Sequence, residues 1–469
     1  MSGIVSYGSY IPYFRLDRKV IAATLGTGGG RGTRAVASYD EDTTSMATEA
    51  SRNALTARTG LVVDALSFST TDPAYLDKTN ATAIHAALGL ASSAMAADLG
   101  GSVRSSVAAL LAGVSSTGTT LATFADTRCG LPGSGDEANG GDAAAAIVFG
   151  AEGTVAELVG RGHSTSEFLD RWRIPGESAS KIWEERFGES EYVPLAGPAV
   201  TDALKAAGIT VDQIDYLVVG GVHPRAQGVI AKSVGVKAGA LADDLSSAIG
   251  APGAAQGALQ LVDALDRAGA GEYIVTVSVA DGVDVLVWCT TSALAGFRRQ
   301  RTSRTLAQQI ADGNATLAYP QFLTWKGYLK REPARRPDPD RPSGPASSRS
   351  EDWKFGFVGS RCLQCGARHL PPARVCVKCR TIDEMTPERL ADVHATIVTF
   401  TIDYLAFSMS PPVVAVVVNL DGGGRFMCEM TDVDPASVAI GQKVEFTFRR
   451  LNTAQSVHNY FWKARPVRA

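Results

Sequence analysis

The sequence has no long apolar run, no excess of either charge and too few cysteines for a disulfide framework. No apolar stretch reaches the ~18–20 residues that a membrane span requires, so no membrane association is expected. Lys plus Arg (45) nearly balance Asp plus Glu (48), for a formal charge of −3. That balance gives no electrostatic case for nucleic acid. The first residues, MSGIVSYGSYIPYFRL, lack a basic leader followed by a long apolar core, so no signal peptide is expected. The seven cysteines are odd in number, and four crowd into residues 362–379. This pattern points to a metal site in a reducing, cytoplasmic setting.

What is present is an α/β pattern with an internal repeat. A chain of 469 residues suits two or three domains. Residues 1 to about 300 alternate apolar strand-like runs with Ala-rich helical stretches, the mark of a layered fold. Two segments run in parallel. The first carries VDALSFSTT (63–71), a helix near TAIHAALGL, then AADLGGSVRSSVAALLAGV, TLATFADTR and GDAAAAIVFG. The second carries IDYLVVGGV (214–222), a helix near GVIAKSVGV, then ADDLSSAIGAPGAAQGALQLVDAL, YIVTVSVADG and VDVLVWCTT. Each reads strand, helix, Gly/Ser turn, buried helix, strand, strand. A duplicated unit implies two half-domains with a site between them. The Gly/Ser turns at 100–106 and 247–254 then each aim a helix N-terminus, with free N–H groups, at that site.

The expected division is 1–150 and 151–300 for the two halves, 301–350 for a helical segment and linker, 351–385 for a ribbon and 386–469 for a barrel. Between the halves, FLDRWRIPGESASKIWEERFGES places Trp and Phe at helical spacing, reading either as a cap over the interface or as a surface helix pair. Residues 331–350 hold five prolines and five arginines and no bulky apolar side chain, so they read as a solvated tether. Those arginines are also able to bind phosphates.

Cys362, Cys365, Cys376 and Cys379 form two CxxC knuckles ten residues apart. Two knuckles supply four thiolates at tetrahedral corners, which suits structural Zn2+ and leaves no open position for water. His369, between them, reads as a surface residue. The strands that follow, with Gly/Pro turns, suit a small closed barrel of the OB type. Their apolar character argues against the nucleic-acid role such barrels often have.

Taken together, RAVASYDEDTTSMATEA, the paired Gly/Ser turns, GDAAAAIVFG and VVGGVHPRAQGVIAKSVGV resemble the 3-hydroxy-3-methylglutaryl-CoA (HMG-CoA) synthase branch of the thiolase superfamily. The C-terminal part, ending FRRLNTAQSVHNYFWKARP, is similar to the zinc-ribbon/OB domain associated with acyl-CoA proteins. The resemblance implies a duplicated thiolase-like αβαβα fold, a homodimer, and coenzyme A as part of the substrate. The family's cysteine falls at Val103 or its neighbour Ser102, so it is absent. The family's glutamate falls at Thr71, with Asp72 beside it. The asparagine falls near Ala251 and is also lost. The histidine falls on His223. Cys129, in a loop, and Cys289, at the end of an apolar strand, read as incidental thiols.

The expected chemistry is therefore acid–base work on an acyl-CoA thioester without a cysteine acyl intermediate, as in an aldol or retro-aldol reaction of a β-hydroxyacyl-CoA. His223 is the candidate base, Asp72 or Tyr75 the second proton-transfer group, and helix N-termini the enolate's donors. Each has a plainer reading: His223 as a core or surface histidine, Asp72 as a turn initiator. Asp281 and Asp284 read as hydrogen-bonders near the cavity. Two alternatives stand beside this one. The first is an acyltransferase or synthase of the family's usual kind using Ser102 or an unrecognised thiol; the second is a non-catalytic acyl-CoA-binding partner of an active thiolase-like chain.

Overall fold

The computed structural model describes residues 2–128, 130–335, 337 and 339–468. Cys129 lies outside the described residues. The repeat read from the sequence is visible in the sheet order. In the first half, Met95–Asp98, Ala65–Ser69, Thr120–Thr127, Asp142–Gly150 and Gly3–Tyr10 lie side by side. In the second half, Ile214–Gly221, Tyr273–Val279, Val283–Thr290 and Ala156–Ser164 follow the same order and the same parallel and antiparallel pairings. The second half's counterpart of the edge strand Met95–Asp98 has shrunk to one bridge, Leu217 to Leu241. The halves join where Ile4 pairs with Ala156, and Gly140 bridges Ala251.

Helices complete five layers. Ser105–Ser115 and Gln256–Arg267 fill the centre, where Val107, Leu110, Leu259 and Leu261 pack with Phe149 and Trp288. Thr43–Thr56 covers the outer face of one sheet through Met46, Ala47, Ala50 and Ala54. Glu185–Ala207 covers the other through Tyr192, Ala199 and Ala203. Small residues on the outer helices let them approach the strands closely. Gly160 and Gly162 face the backbone of Ala203 and Ala199, and a Cβ at either glycine would collide with it.

Two parts of the sequence reading need correction. The Trp and Phe spacing in 168–183 does not make a helix. Arg171–Trp172 and Lys181–Ile182 pair as a hairpin around Pro175 and Gly176, and the helix starts only at Glu185. Pro–Gly is a turn signal, and it overrides apolar spacing here. The tether is also partly folded, with a helix at Gly344–Arg349 followed by Glu351–Lys354.

The C-terminal module has two parts. Arg368–His369, Val358–Cys362 and Met385–Arg389 form a small ribbon sheet. Ala395–Asp403, Val413–Leu420, Arg425–Met430, Val457–Pro466 and Lys443–Ala454 close into a five-stranded barrel. Its core is aromatic, built on Phe357, Phe446, Phe448 and Trp462. The barrel is joined to the first half by buried charge. Arg449, 0% exposed, meets Asp40, Glu41 and Asp432, and Lys463 lies 3.0 Å from Asp40. No helix among the described residues is long and apolar enough to cross a membrane.

Candidate functional site

A cavity of about 580 Å³ opens at the C-terminal ends of the parallel strands of the first half, where ligands bind in open α/β sheets. Three strand ends build its floor and walls. Ala65–Ser69 runs into Thr70–Pro73, Met95–Asp98 into Gly100–Val103, and Thr120–Thr127 into Arg128. Gly101 holds φ +100°, the left-handed region that lets the chain turn tightly into the helix Ser105–Ser115. The hairpin at 171–176 roofs the cavity. The second half contributes only Val222 and Asp281.

The cavity expected between the halves is lined mostly by the first half and the cap hairpin, and one residue supplies the reason. The second half's helix start is occupied by a protein carboxylate. Asp126 accepts the N–H of Ala254 at 2.8 Å and that of Thr71 at 2.9 Å, and takes the Thr70 and Thr71 hydroxyls as well. It is fully buried, and burial raises its pKa. The turn at 247–254 therefore directs its donor inward and not at a ligand. In the first half, the amides of Ser105, Ser106 and Val107 bond to the carbonyls of Ser102, Val103 and Arg104.

Among the proposed site residues, Asp72, Ser102 and Tyr75 all line the cavity. Asp72 is bonded by the Thr127 hydroxyl and stands 3.9 Å from Arg173. Tyr75 accepts the N–H of His458, a barrel residue, at 2.8 Å. Val103, beside Ser102, also lines the cavity, and neither position carries a thiol.

His223 is not brought together with them. It is 4% exposed and lies behind Val222. Its Nδ1 caps the following helix by accepting the Ala226 N–H at 3.0 Å, which puts the neutral ring's proton on Nε2. Nε2 faces the carboxylate of Asp170. A Cβ on Gly188 would stand 2.5 Å from Asp170 Oδ1 and 2.6 Å from His223 Nε2, and both atoms lack a hydrogen-bond partner among the described residues. Tyr192 donates to Asp170 and accepts the Asp281 N–H at 3.2 Å. Burial raises the pKa of Asp170 and of Asp281.

Sequence reasoning missed Asp126, Asp170 and the guanidinium groups of Arg128, Arg171 and Arg173. Arg171 is committed to Asp136 by two bonds of 2.6 and 2.7 Å. Arg128 donates to Thr71 Oγ1 at 3.2 Å, and burial lowers its pKa. The Asp-Arg pair in the cap was a visible cue. Asp284 is structural: Arg104 grips it at 2.8 and 3.0 Å and His163 lies at 2.8 Å.

The four cysteine sulfurs lie within 4.8 Å of one another, with 3.5 Å between Cys362 and Cys379 and between Cys365 and Cys376. Tetrahedral Zn–S bonds of ~2.3 Å set edges of ~3.8 Å, so the donor set is compatible with a zinc ribbon. His369 is not among the four and, against expectation, is buried in the ribbon.

Comparison with known proteins bears on the family. The model for the C-terminal OB-fold domain of ChsH2 matches residues 388–449. A DUF35 domain-containing scaffold protein of Methanothermobacter thermautotrophicus is 31% identical over 118 residues, 24% of this chain and 88% of the relative. The hydroxymethylglutaryl-CoA synthase of Methanopyrus kandleri is 27% identical over 346 residues, covering 70% of this chain and 98% of the relative.

The chain is an HMG-CoA synthase-like thiolase fused to an OB-fold domain of the DUF35 family.

Solved structures agree on the fold. An HMG-CoA synthase complexed with CoA superposes with a TM-score of 0.59 at 16% identity, over 68% of this chain and 89% of that one. A 3-oxoacyl-(acyl carrier protein) synthase III from Pseudomonas aeruginosa gives 0.55 at 20% identity, over 62% and 98%.

Proposed function

We propose that this chain is an enzyme of the thiolase superfamily that makes or breaks a C–C bond in an acyl-CoA thioester by acid–base chemistry, most simply as an aldol or retro-aldol reaction of a β-hydroxyacyl-CoA. The observation that carries the reading is the cavity at 580 Å³, with a valine at the head of its helix and ionisable side chains on its walls. Val103 offers no nucleophile, and in this scheme its neighbour Ser102 is not acylated either.

In the cleavage direction, the Asp72 carboxylate takes the proton of the β-hydroxyl. The Cα–Cβ bond breaks, its electrons pass to the thioester carbonyl, and a ketone or aldehyde departs. Arg128 and Arg173 offset the enolate charge. Asp281, whose burial favours its protonated form, returns a proton to Cα. The products are the carbonyl compound and a shortened acyl-CoA. His223 has no contact with substrate in this scheme. With Asp170 and Tyr192 it braces the wall that carries Asp281. Tyr75 shapes the cavity, and Ser102 is not acylated.

Several finer points belong to the same reading. The four cysteines hold structural Zn2+, in a cytoplasmic setting that keeps them reduced. The chain pairs as a homodimer through its thiolase-like domain, where Met95 on the edge strand Met95–Asp98 is exposed. The test is turnover of β-hydroxyacyl-CoA esters by native protein and by Asp72→Asn. The expected result is a shortened acyl-CoA from the native protein and a loss of about 10²–10⁴-fold in the variant. Equal turnover in both removes Asp72 from the scheme.

A second reading has one observation in its favour: Asp126 fills the second half's helix start. It makes the chain a non-catalytic acyl-CoA-binding partner, in keeping with the scaffold name of its DUF35 relative. Binding of acyl-CoA with no turnover of any β-hydroxyacyl ester favours that reading.

A further inference from the structure

A second chamber, of about 320 Å³, lies where the first half, the segment after residue 340 and the barrel meet. Its size falls in the range of small-molecule sites. Three separate pieces of chain wall it. Ala83 and Ala86 come from the helix Ala81–Leu88, Pro342 and Ser347 from the folded tether, and Val457 and Tyr460 from the last barrel hairpin.

Tyr75 and Asn80 line this chamber and the 580 Å³ cavity alike. Tyr75 is therefore the partition between them, and it is held from both sides. Its N–H donates to Asn80 Oδ1 at 3.0 Å and its carbonyl accepts from Asn80 Nδ2 at 2.9 Å. Its ring lies 5.0 Å from that of His458, whose N–H donates to the Tyr75 hydroxyl.

We infer that this chamber holds the apolar body of the substrate's acyl group, with the thioester seated across Tyr75 in the larger cavity. The inference rests on the reading of that cavity as an acyl-CoA site. The lining decides between the acyl group and the phosphate-bearing end of CoA. Small apolar and aromatic side chains dominate the interior. The two lysines on its wall are already engaged by neutral oxygens. Lys78 donates to the Thr79 carbonyl and the Thr82 hydroxyl, and Lys354 to Asn459. The fused barrel and tether then act as a measuring wall for chain length, a role that neither half supplies alone.

The test is a calorimetric titration of the full chain with decanoyl-CoA and with acetyl-CoA. Burial of even a few methylenes tightens binding by about tenfold or more, so decanoyl-CoA is expected to bind at least that much better. Ala86→Trp fills the chamber from the core side. Ser347→Trp fills it from an exposed six-residue helix, where a large side chain does not endanger folding. Each is expected to remove the decanoyl advantage. Equal affinities in the native protein overturn the inference, as does an advantage that survives both substitutions. Free CoA weakened by Lys78→Ala plus Lys354→Ala, with the decanoyl advantage absent, assigns the chamber to the nucleotide end instead. Because the titration reads binding, its outcome is independent of whether the bound thioester turns over. Failure of every CoA ester to bind overturns the underlying reading as well.

Discussion

The carboxylate of Asp126 accepts the backbone N–H of Ala254 at 2.8 Å, across 128 residues of sequence. This bond closes the second half's helix start with an internal anion and leaves the cavity to the first half and its cap. It also sets a stability cost. Asp126→Ala strands the Ala254 and Thr71 amides and two hydroxyls in the interior, at about 1–3 kcal/mol for each unsatisfied group. A fall of several kcal/mol is expected in a urea titration. Asp126→Asn keeps one acceptor oxygen and is expected to lose less. Equal loss in the two variants contradicts the assignment.

The barrel and the first half are expected to unfold together. Arg449 is buried among Asp40, Glu41 and Asp432, and removing one member of such a set costs about 3–5 kcal/mol. Arg449→Met is expected to split a single calorimetric transition into two as the charges opposite lose their partner. One unchanged transition in the variant argues against this coupling.

The same cluster carries a pH dependence. Burial pushes the Glu41 carboxyl up to about 7, opposed by Arg449. The native state therefore holds this proton to higher pH than the unfolded chain, which releases it near 4.5. Stability from this group is full below the unfolded value and falls as pH rises from about 4.5 to about 7. Glu41→Gln, which cannot ionise, is expected to flatten the denaturation midpoint across that window. A slope equal to that of the native protein rejects the assignment.

How much of this was legible depends on the range of the interaction. The repeat was readable because each half writes the same strands and helices in the same order, and the ribbon because CxxC spacing encodes knuckle geometry locally. The state of His223 was not. A helix-capping nitrogen and a neighbour on the cap hairpin, Asp170, depend on packing over dozens of residues. Asp126 reads as one polar residue inside the strand Thr120–Thr127, and nothing nearby marks its bond to Ala254. The cap's Pro175–Gly176 pair was legible and was outweighed by aromatic spacing.

Gly188 tests the packing around His223. Any Cβ there meets Asp170 and the imidazole, so Gly188→Ala is expected to displace one of them at a cost of about 1–3 kcal/mol. Suppression of that loss by Asp170→Gly in the double variant is the signature of the contact. Additive losses contradict it.

Metal removal separates the ribbon from the rest. A strong chelator acting under reducing conditions is expected to release one zinc ion per chain and expose the four thiols of Cys362, Cys365, Cys376 and Cys379 to a thiol reagent. Full reactivity of those thiols before chelation speaks against a bound metal.

The central claim is that carbon–carbon chemistry proceeds in this cavity without a covalent acyl-enzyme. The most direct measurement is the intact-protein mass spectrum, acid-quenched during turnover of a β-hydroxyacyl-CoA and during incubation with acetyl-CoA. The account predicts the unmodified protein mass in both, while the shortened acyl-CoA accumulates in the first. An acyl adduct that forms and decays at the rate of turnover, lost in Ser102→Ala, contradicts it.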